Sequence, residues 1–264
     1  MGRALQIISG KCTSPGETFT SLTPVKDDTF TIQSAVVGTP IKLLGAWAWA
    51  HAPGRLRIRS PRLHDEVEGL RYALRTFRAD VLVPDYFYES LYPGDTLKVE
   101  MTGTSEANKI ELASLLIYYE QLPGIDSKFV SPEDVKKRAK HLYTVETTLT
   151  LSQDGNWSGT KLLTQDFDTM KAGEQYALIG YLVNQGVCSI GYKSTETGNL
   201  RVGGPGDPEL RDLTRNWFVY LSEKFNLPLI PVLSADNRKN IQIEALTNEM
   251  GGTVTVTSIL VNLS

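Results

Sequence analysis

The chain has 264 residues, 41% hydrophobic and 22% charged, with a formal net charge of −3. That length allows one large or two ordinary globular domains, and the small negative charge gives no global reason to expect nucleic acid or an anionic membrane as partner. Its two cysteines, Cys12 and Cys188, stand in unrelated contexts and rule out a disulfide framework. No apolar run reaches the roughly 18 residues that a spanning helix needs.

The opening Met1-Gly2-Arg3-Ala4-Leu5-Gln6 is too short in apolar residues for a signal peptide. Gln6 also stands where a myristoylation signal needs Ser or Thr. Residues 1–36, rich in Thr, Ser and Gly, read either as an N-terminal arm or as the first edge strands of a domain. Ile41 to Trp49 is apolar, too short for a core helix and ended by Ala52-Pro53-Gly54, which predicts a buried strand. Its counterpart is Tyr176 to Val183, where Leu178-Ile179-Gly180 answers Leu43-Leu44-Gly45 at a displacement of 135 positions (180 − 45).

A second displacement is more prominent. Gly54-Arg55-Leu56-Arg57-Ile58-Arg59-Ser60-Pro61 is echoed by Gly198-Asn199-Leu200-Arg201-Val202-Gly203-Gly204-Pro205, 144 positions on (198 − 54). Leu97–Glu100 and Ile241–Glu244 share that displacement (241 − 97), as do Ser114–Ile117 and Ser258–Val261 (258 − 114). Three blocks at one displacement point to a duplicated unit, with nine extra residues (144 − 135) expected in a loop before Gly198. On this reading the two octets occupy the same strand position in the two units.

After each octet the apolar period changes. Leu70, Leu74, Phe77 and Val81 predict one helix, and Leu213, Trp217, Leu221 and Phe225 its partner. Gly203-Gly204-Pro205-Gly206 reads as a turn after a strand. Leu97, Val99 and Met101 alternate with Lys98, Glu100 and Thr102, and Ile241, Ile243 and Ala245 with Gln242 and Glu244, as antiparallel strands with one wet face do. The last strands are Ile110 to Tyr119 and Thr253 to Leu263, the second entered by a turn at Gly251-Gly252. Between the units, Ser131-Pro132-Glu133-Asp134 opens a short helix with Ser131 as N-cap. Tyr143 to Leu151 then alternates as the clearest strand in the chain. The expected fold is therefore all-β: two tandem eight-stranded jelly-roll barrels, each with one inserted helix. The boundaries are 1–36 for the arm or edge strands, 37–124 for the first barrel, 125–141 for the linker and 142–264 for the second barrel.

Catalytic chemistry finds little to work with. His51, His64 and His141 have no ligand-like spacing, so neither a cupin-type nor a copper centre is expected. No nucleophile elbow, zinc-protease motif, Walker loop or dinucleotide fingerprint occurs. The chain is expected to be no enzyme and to use no catalytic residue, metal or cofactor. Arginines crowd one stretch, at 55, 57, 59, 62, 71, 75 and 78, with Asp65, Glu66, Glu68 and Asp80 interleaved. This is either an interaction patch or an ion-paired solvated face. Tyr86-Phe87-Tyr88 and Tyr118-Tyr119 are interface anchors if exposed and core if buried. The interface candidates are Arg71, Arg75, Tyr86, Phe87, Tyr88 and the 1–36 segment.

Two tandem jelly rolls carrying the duplicated octets 54–61 and 198–205, paired helices and paired closing strands resemble the double jelly-roll major capsid proteins of tailless icosahedral viruses. That lineage joins adenovirus hexon to membrane-containing bacteriophages. The resemblance covers the chain from about residue 37 onward and is architectural. It implies a virion protein, assembled in the host cytoplasm, that forms pseudo-hexagonal homotrimeric capsomers. Its partners would be itself and neighbouring capsomers, with minor capsid proteins or an internal membrane as candidates, and no specific nucleic-acid binding. The alternative is a carbohydrate-binding or host-attachment tandem β-sandwich.

Overall fold

The computed structural model describes residues 2–33, 35–36, 38–60, 69–75, 80–81, 89–163, 170–248 and 251–263. The N-terminal unit contains β1 (Gly2–Thr13), β2 (Thr20–Ser21), β3 (Thr23–Pro24), β4 (Ile41–Trp49), β5 (Gly54–Arg59), β6 (Leu70–Leu74), β7 (Asp80–Val81), β8 (Glu89–Leu91), β9 (Lys98–Thr102) and β10 (Ile110–Leu122). Strand β11 (Phe129–Val130) and helix α1 (Pro132–Arg138) follow. The C-terminal unit contains β12 (Leu142–Thr150), β13 (Lys161–Leu162), β14 (Gln175–Val183), β15 (Val187–Lys193), β16 (Val202–Gly206), helices α2 (Arg211–Thr214) and α3 (Trp217–Phe225), β17 (Ile230–Ser234), β18 (Gln242–Leu246) and β19 (Thr253–Asn262). The chain is thus all-β with a few short helices.

Each unit folds as two antiparallel sheets. In the first they run β3-β1-β10-β4, with β7 and β8 both on the far edge of β4, and β2-β9-β5-β6. In the second they run β11-β17-β14-β19-β12 and β13-β18-β15-β16. Written side by side, β1-β10-β4-β8 matches β12-β19-β14-β17, and β2-β9-β5-β6 matches β13-β18-β15-β16. The two units follow the same course.

A bulge fixes the register of that match. Between β10 and β4 the pairing steps from Leu116↔Gly45 to Ile117↔Leu43 and passes over Leu44. Between β19 and β14 it steps from Ile259↔Gly180 to Leu260↔Leu178 and passes over Ile179. A bulge re-aims one residue at a defined place, so Leu44 aligns with Ile179. Trp47 then aligns with Leu182, and their partners Ser114 and Thr257 align with each other, one residue short of the Ser114 and Ser258 match expected at a displacement of 144. On the outer strands, Ser9, opposite Ser114, aligns with Glu146, opposite Thr257. The displacement of 135 found for Gly45 and Gly180 is a structural correspondence.

Several expectations need correction. The octets do not share a strand position: Gly54–Arg59 is β5, an interior strand between β9 and β6, whereas Gly198–Pro205 runs from a 3-10 turn into β16, an edge strand. Their likeness therefore says nothing about duplication. Nor do nine residues enter before Gly198. The connection 194–201 is no longer than its counterpart 60–69, and the extra length follows β16, where α2 and α3 sit. The helix expected over Leu70 to Val81 is β6 and β7 in its described part, and residues 76–79 lie outside the described residues. Leu70 and Leu74 are four apart, a spacing that a helix and a two-residue period both satisfy. Gly203-Gly204 lies within β16 and is no turn: side chains there would collide with the Ile190 carbonyl and the Trp217 ring. Residues 2–13 form no free arm, since β1 pairs along its length with β10 and lies inside its sheet.

The core explains the composition of the strands. One cluster, with Ala4, Ile8, Leu43, Ala46, Ala48, Leu56, Ile58, Val99, Met101, Leu115 and Ile117, fills the N-terminal unit between its two sheets. The other face of the β1–β10–β4 sheet carries Leu5, Ile7, Leu44, Trp47, Trp49, Leu112, Leu116 and Tyr118, which join the core of the C-terminal unit. This sheet is buried on both sides, and β4 and β10 read as mostly apolar runs for that reason. In β12, by contrast, Val145, Thr147 and Leu149 are buried while Thr144, Glu146, Thr148 and Thr150 are exposed.

Candidate assembly surfaces

The two units pack on one another sheet to sheet. Strands β15 and β16 of the C-terminal unit lie across the outward face of β1, β10 and β4. The backbone amide of Ile7 donates to the Arg201 carbonyl at 2.8 Å. Trp47, fully buried, donates from Nε1 to the Cys188 carbonyl at 3.0 Å and to Ser189 Oγ at 2.9 Å. Its ring meets that of Trp217 edge-on, centroids 6.1 Å apart. Ser9, Ser114 and Ser189 form a chain of buried hydroxyls, each link 2.8 Å. Such close approach needs small residues on the incoming sheet, and Ser189, Gly191, Gly203 and Pro205 provide them.

An ionic cluster locks one side of this joint. Asp28, from the segment between β3 and β4, pairs with Arg201, and Arg201 donates from Nε to Glu244 at 2.7 Å. All three side chains are at most 5% exposed. Lys193 reaches Glu244 at 3.4 Å, Trp157 donates to Asp28 from Nε1 at 3.1 Å, and the Arg201 guanidinium lies 4.7 Å from the Trp157 ring centre. Burial pushes the Asp28 carboxyl up to about 6, outweighing the pull of Arg201 in the other direction.

A second cluster occupies the corresponding sheet of the N-terminal unit. Glu100 accepts from Arg57 Nε at 2.7 Å and from Arg59 Nε at 2.8 Å, while the Arg57 guanidinium sits 4.0 Å above the Phe19 ring centre. Burial raises the Glu100 carboxyl, but the hydrogen bonds from Arg59 and Arg57 together hold it below the ordinary value. Glu100 and Glu244 keep the displacement of 144, and each is held by a cation of the neighbouring strand, Arg59 or Lys193. Aligning these pairs sets Arg55 opposite Ser189 in the superposed units. The rest of this outer face is basic, with Arg55, Lys98 and Arg71 exposed.

The sequence-nominated residues are dispersed. Arg71 is exposed on β6 and Arg75 just beyond it. Tyr86, Phe87, Tyr88 and His64 lie outside the described residues. Tyr118 and Tyr119 are buried in the core. The backbone N–H of His51 donates to the buried carboxylate of Glu111 at 2.9 Å, and its ring lies beside Asn248 of the other unit. His141 is exposed and meets Tyr143 edge-on. Among the described residues no group of three or more His, Cys, Asp or Glu could hold a metal ion, and no helix is long and apolar enough to cross a membrane. Sequence reasoning missed Asp28, Trp47 and Arg201. The joint that gives them meaning is a tertiary feature, and only the two-sided apolar run of β4 hinted at it.

No family model matches the chain, and no curated protein matches it. Solved structures with some likeness include the PBSX exported protein XepA, with TM-score 0.27 and 10% identity over 97% of this chain and 86% of that one. The major capsid protein P2 of bacteriophage PM2 gives TM-score 0.25 and 7% identity over 99% and 98%. The protein YhaK of Escherichia coli gives 0.24 and 10% over 97% and 86%. Likeness at this level establishes neither fold nor role, and the functional reading rests on the molecule itself.

Proposed function

We propose that the chain is a structural virion protein, a double jelly-roll major capsid protein that works as a homotrimer and carries out no catalysis. The N-terminal jelly roll would span residues 2–124, the C-terminal one 142–263, with 125–141 linking them. The observation that carries this reading is the internal joint. The second sheet of one barrel covers the first sheet of the other, and among the described residues one face of each kind is left at the two ends of the molecule. A monomer with unlike, complementary ends builds by one repeated heterologous contact, and such a contact closes into a ring where its rotation is a third of a turn. Three copies give six barrels around an axis, a block able to tile a shell. A matched strand order in both units, which sets the same pair of sheets facing one another at every joint, supports the same reading. The place of action would be the capsid, after assembly in the host cytoplasm.

Analytical ultracentrifugation of the purified chain, with negative-stain imaging, tests this. The expected species is a trimer burying on the order of 2,000 Å² or more at each contact. A chain that remains monomeric at high concentration and never appears in threefold groups overturns the reading.

A further inference from the structure

The two open faces can be matched residue by residue, because the internal joint supplies the template. Inside the chain, Ser9 and Ser114 of the first barrel meet Ser189 of the second through consecutive 2.8 Å hydrogen bonds. The bulge register places Glu146 where Ser9 stands and Thr257 where Ser114 stands. The paired glutamates Glu100 and Glu244 place Arg55 where Ser189 stands. Each of these substitutes lies on an open face: Glu146 and Arg55 are exposed and Thr257 is half-buried.

We infer that the outer face of β5–β9–β6 of one copy docks on the outer face of β12–β19 of a second copy of this chain, with Arg55 of one copy meeting Glu146 and Thr257 of the next. The inference rests on the trimer reading and deepens it. Charge complementarity argues for this occupant. The first face is basic, carrying Arg55, Lys98 and Arg71 around the Glu100 cluster, while the second is threonine-rich with Glu146 as the charge on the exposed side of β12. Chemistry also separates the two joints. Inside the chain Ser189, Gly191 and Gly203 allow backbones to touch, whereas between copies Arg55, Arg57 and Arg71 hold those positions and keep the sheets further apart. The intermolecular contact is therefore polar, hydrated and weakened by salt, while the internal one is buried and joined by direct hydrogen bonds.

The test uses the full chain. Glu146→Arg and Arg55→Glu, both at exposed positions, should each weaken trimer formation at least about tenfold, as like charges placed across an interface do. The double exchange should restore it. A covalent arm keeps the result readable: with Glu146→Cys and Arg55→Cys in one chain, a bifunctional maleimide, which spans more than the roughly 7 Å limit of a disulfide, should link copies into closed trimers. The cysteines already present are buried. If the unmodified chain is a trimer but neither single variant weakens it, or the exchange fails to rescue and no cross-link forms, the assigned faces are wrong and the trimer stands. If the unmodified chain is monomeric throughout, the trimer reading itself fails.

Discussion

Arg201 ties both units together through charge, pairing with Asp28 of one and Glu244 of the other. It carries the only positive charge within reach of both Asp28 and Glu244 that is itself at most 4% exposed. Removing one partner of a buried ionic group leaves the others uncompensated, which costs roughly 3–5 kcal/mol. Arg201→Ala should destabilise the chain by about that much in urea or thermal melts, far more than Arg55→Ala at an exposed site. Asp28 gives a signed pH effect. Its carboxyl titrates at about 6 in the folded chain against an ordinary 3.8, so the folded state takes up this proton more readily than the unfolded one. Its contribution favours folding increasingly as pH falls from about 6 towards about 4, and is lost as pH rises. Relative to the Asp28→Asn variant, the native chain should therefore gain stability on acidification across that range. Parallel melts that show no such divergence would count against the burial of Asp28 in the joint.

At the scale of elements, legibility depended on which faces a strand buries. β12 was plain in the sequence because one face is wet and the alternation is clean. β4 and β10 were legible as strands but not as a sheet covered twice, since an apolar run does not say what lies on each side. β6 was misread because Leu70 and Leu74 fit both periods. The octet likeness misled because four matches in eight arise by chance between a strand, β5, and a turn that leads into β16. The surfaces that join barrels were almost illegible, because Ser9, Ser114 and Ser189 are ordinary residues until the fold stacks them. Trp47 marks the most sensitive point of β4. Trp47→Ala removes a fully buried indole, two hydrogen bonds and the edge contact with Trp217, and should cost about 3–5 kcal/mol. Ala48, on the opposite face, packs into the other cluster, so Ala48→Gly should leave the joint intact and lower stability by far less.

The whole molecule should behave as one cooperative body although its strand order repeats. Leu5, Trp47, Leu112 and Tyr118 of the N-terminal unit share a continuous cluster with Val187, Ile190, Val202 and Trp217 of the C-terminal one. Neither unit can open without exposing the other's apolar surface, at roughly 1.5–3 kcal/mol for each large side chain. Scanning calorimetry should show one transition with matching calorimetric and van't Hoff enthalpies. Two resolved transitions would mean that the joint contributes little.

The two thiols turn this architecture into a pair of clocks. Burial pushes both Cys12 and Cys188 up to about 12, so in the folded chain neither offers an appreciable thiolate to a maleimide or a disulfide reagent. Cys12 lies in the core of the N-terminal unit, while Cys188 sits at the seam, its sulfur 3.8 Å from Ser114 Oγ. Modification of Cys188 thus reports how often the barrels part, and modification of Cys12 how often the first barrel opens. Equal rates would describe a molecule that comes apart only all at once. A faster Cys188 would describe a hinge at the seam between the two units.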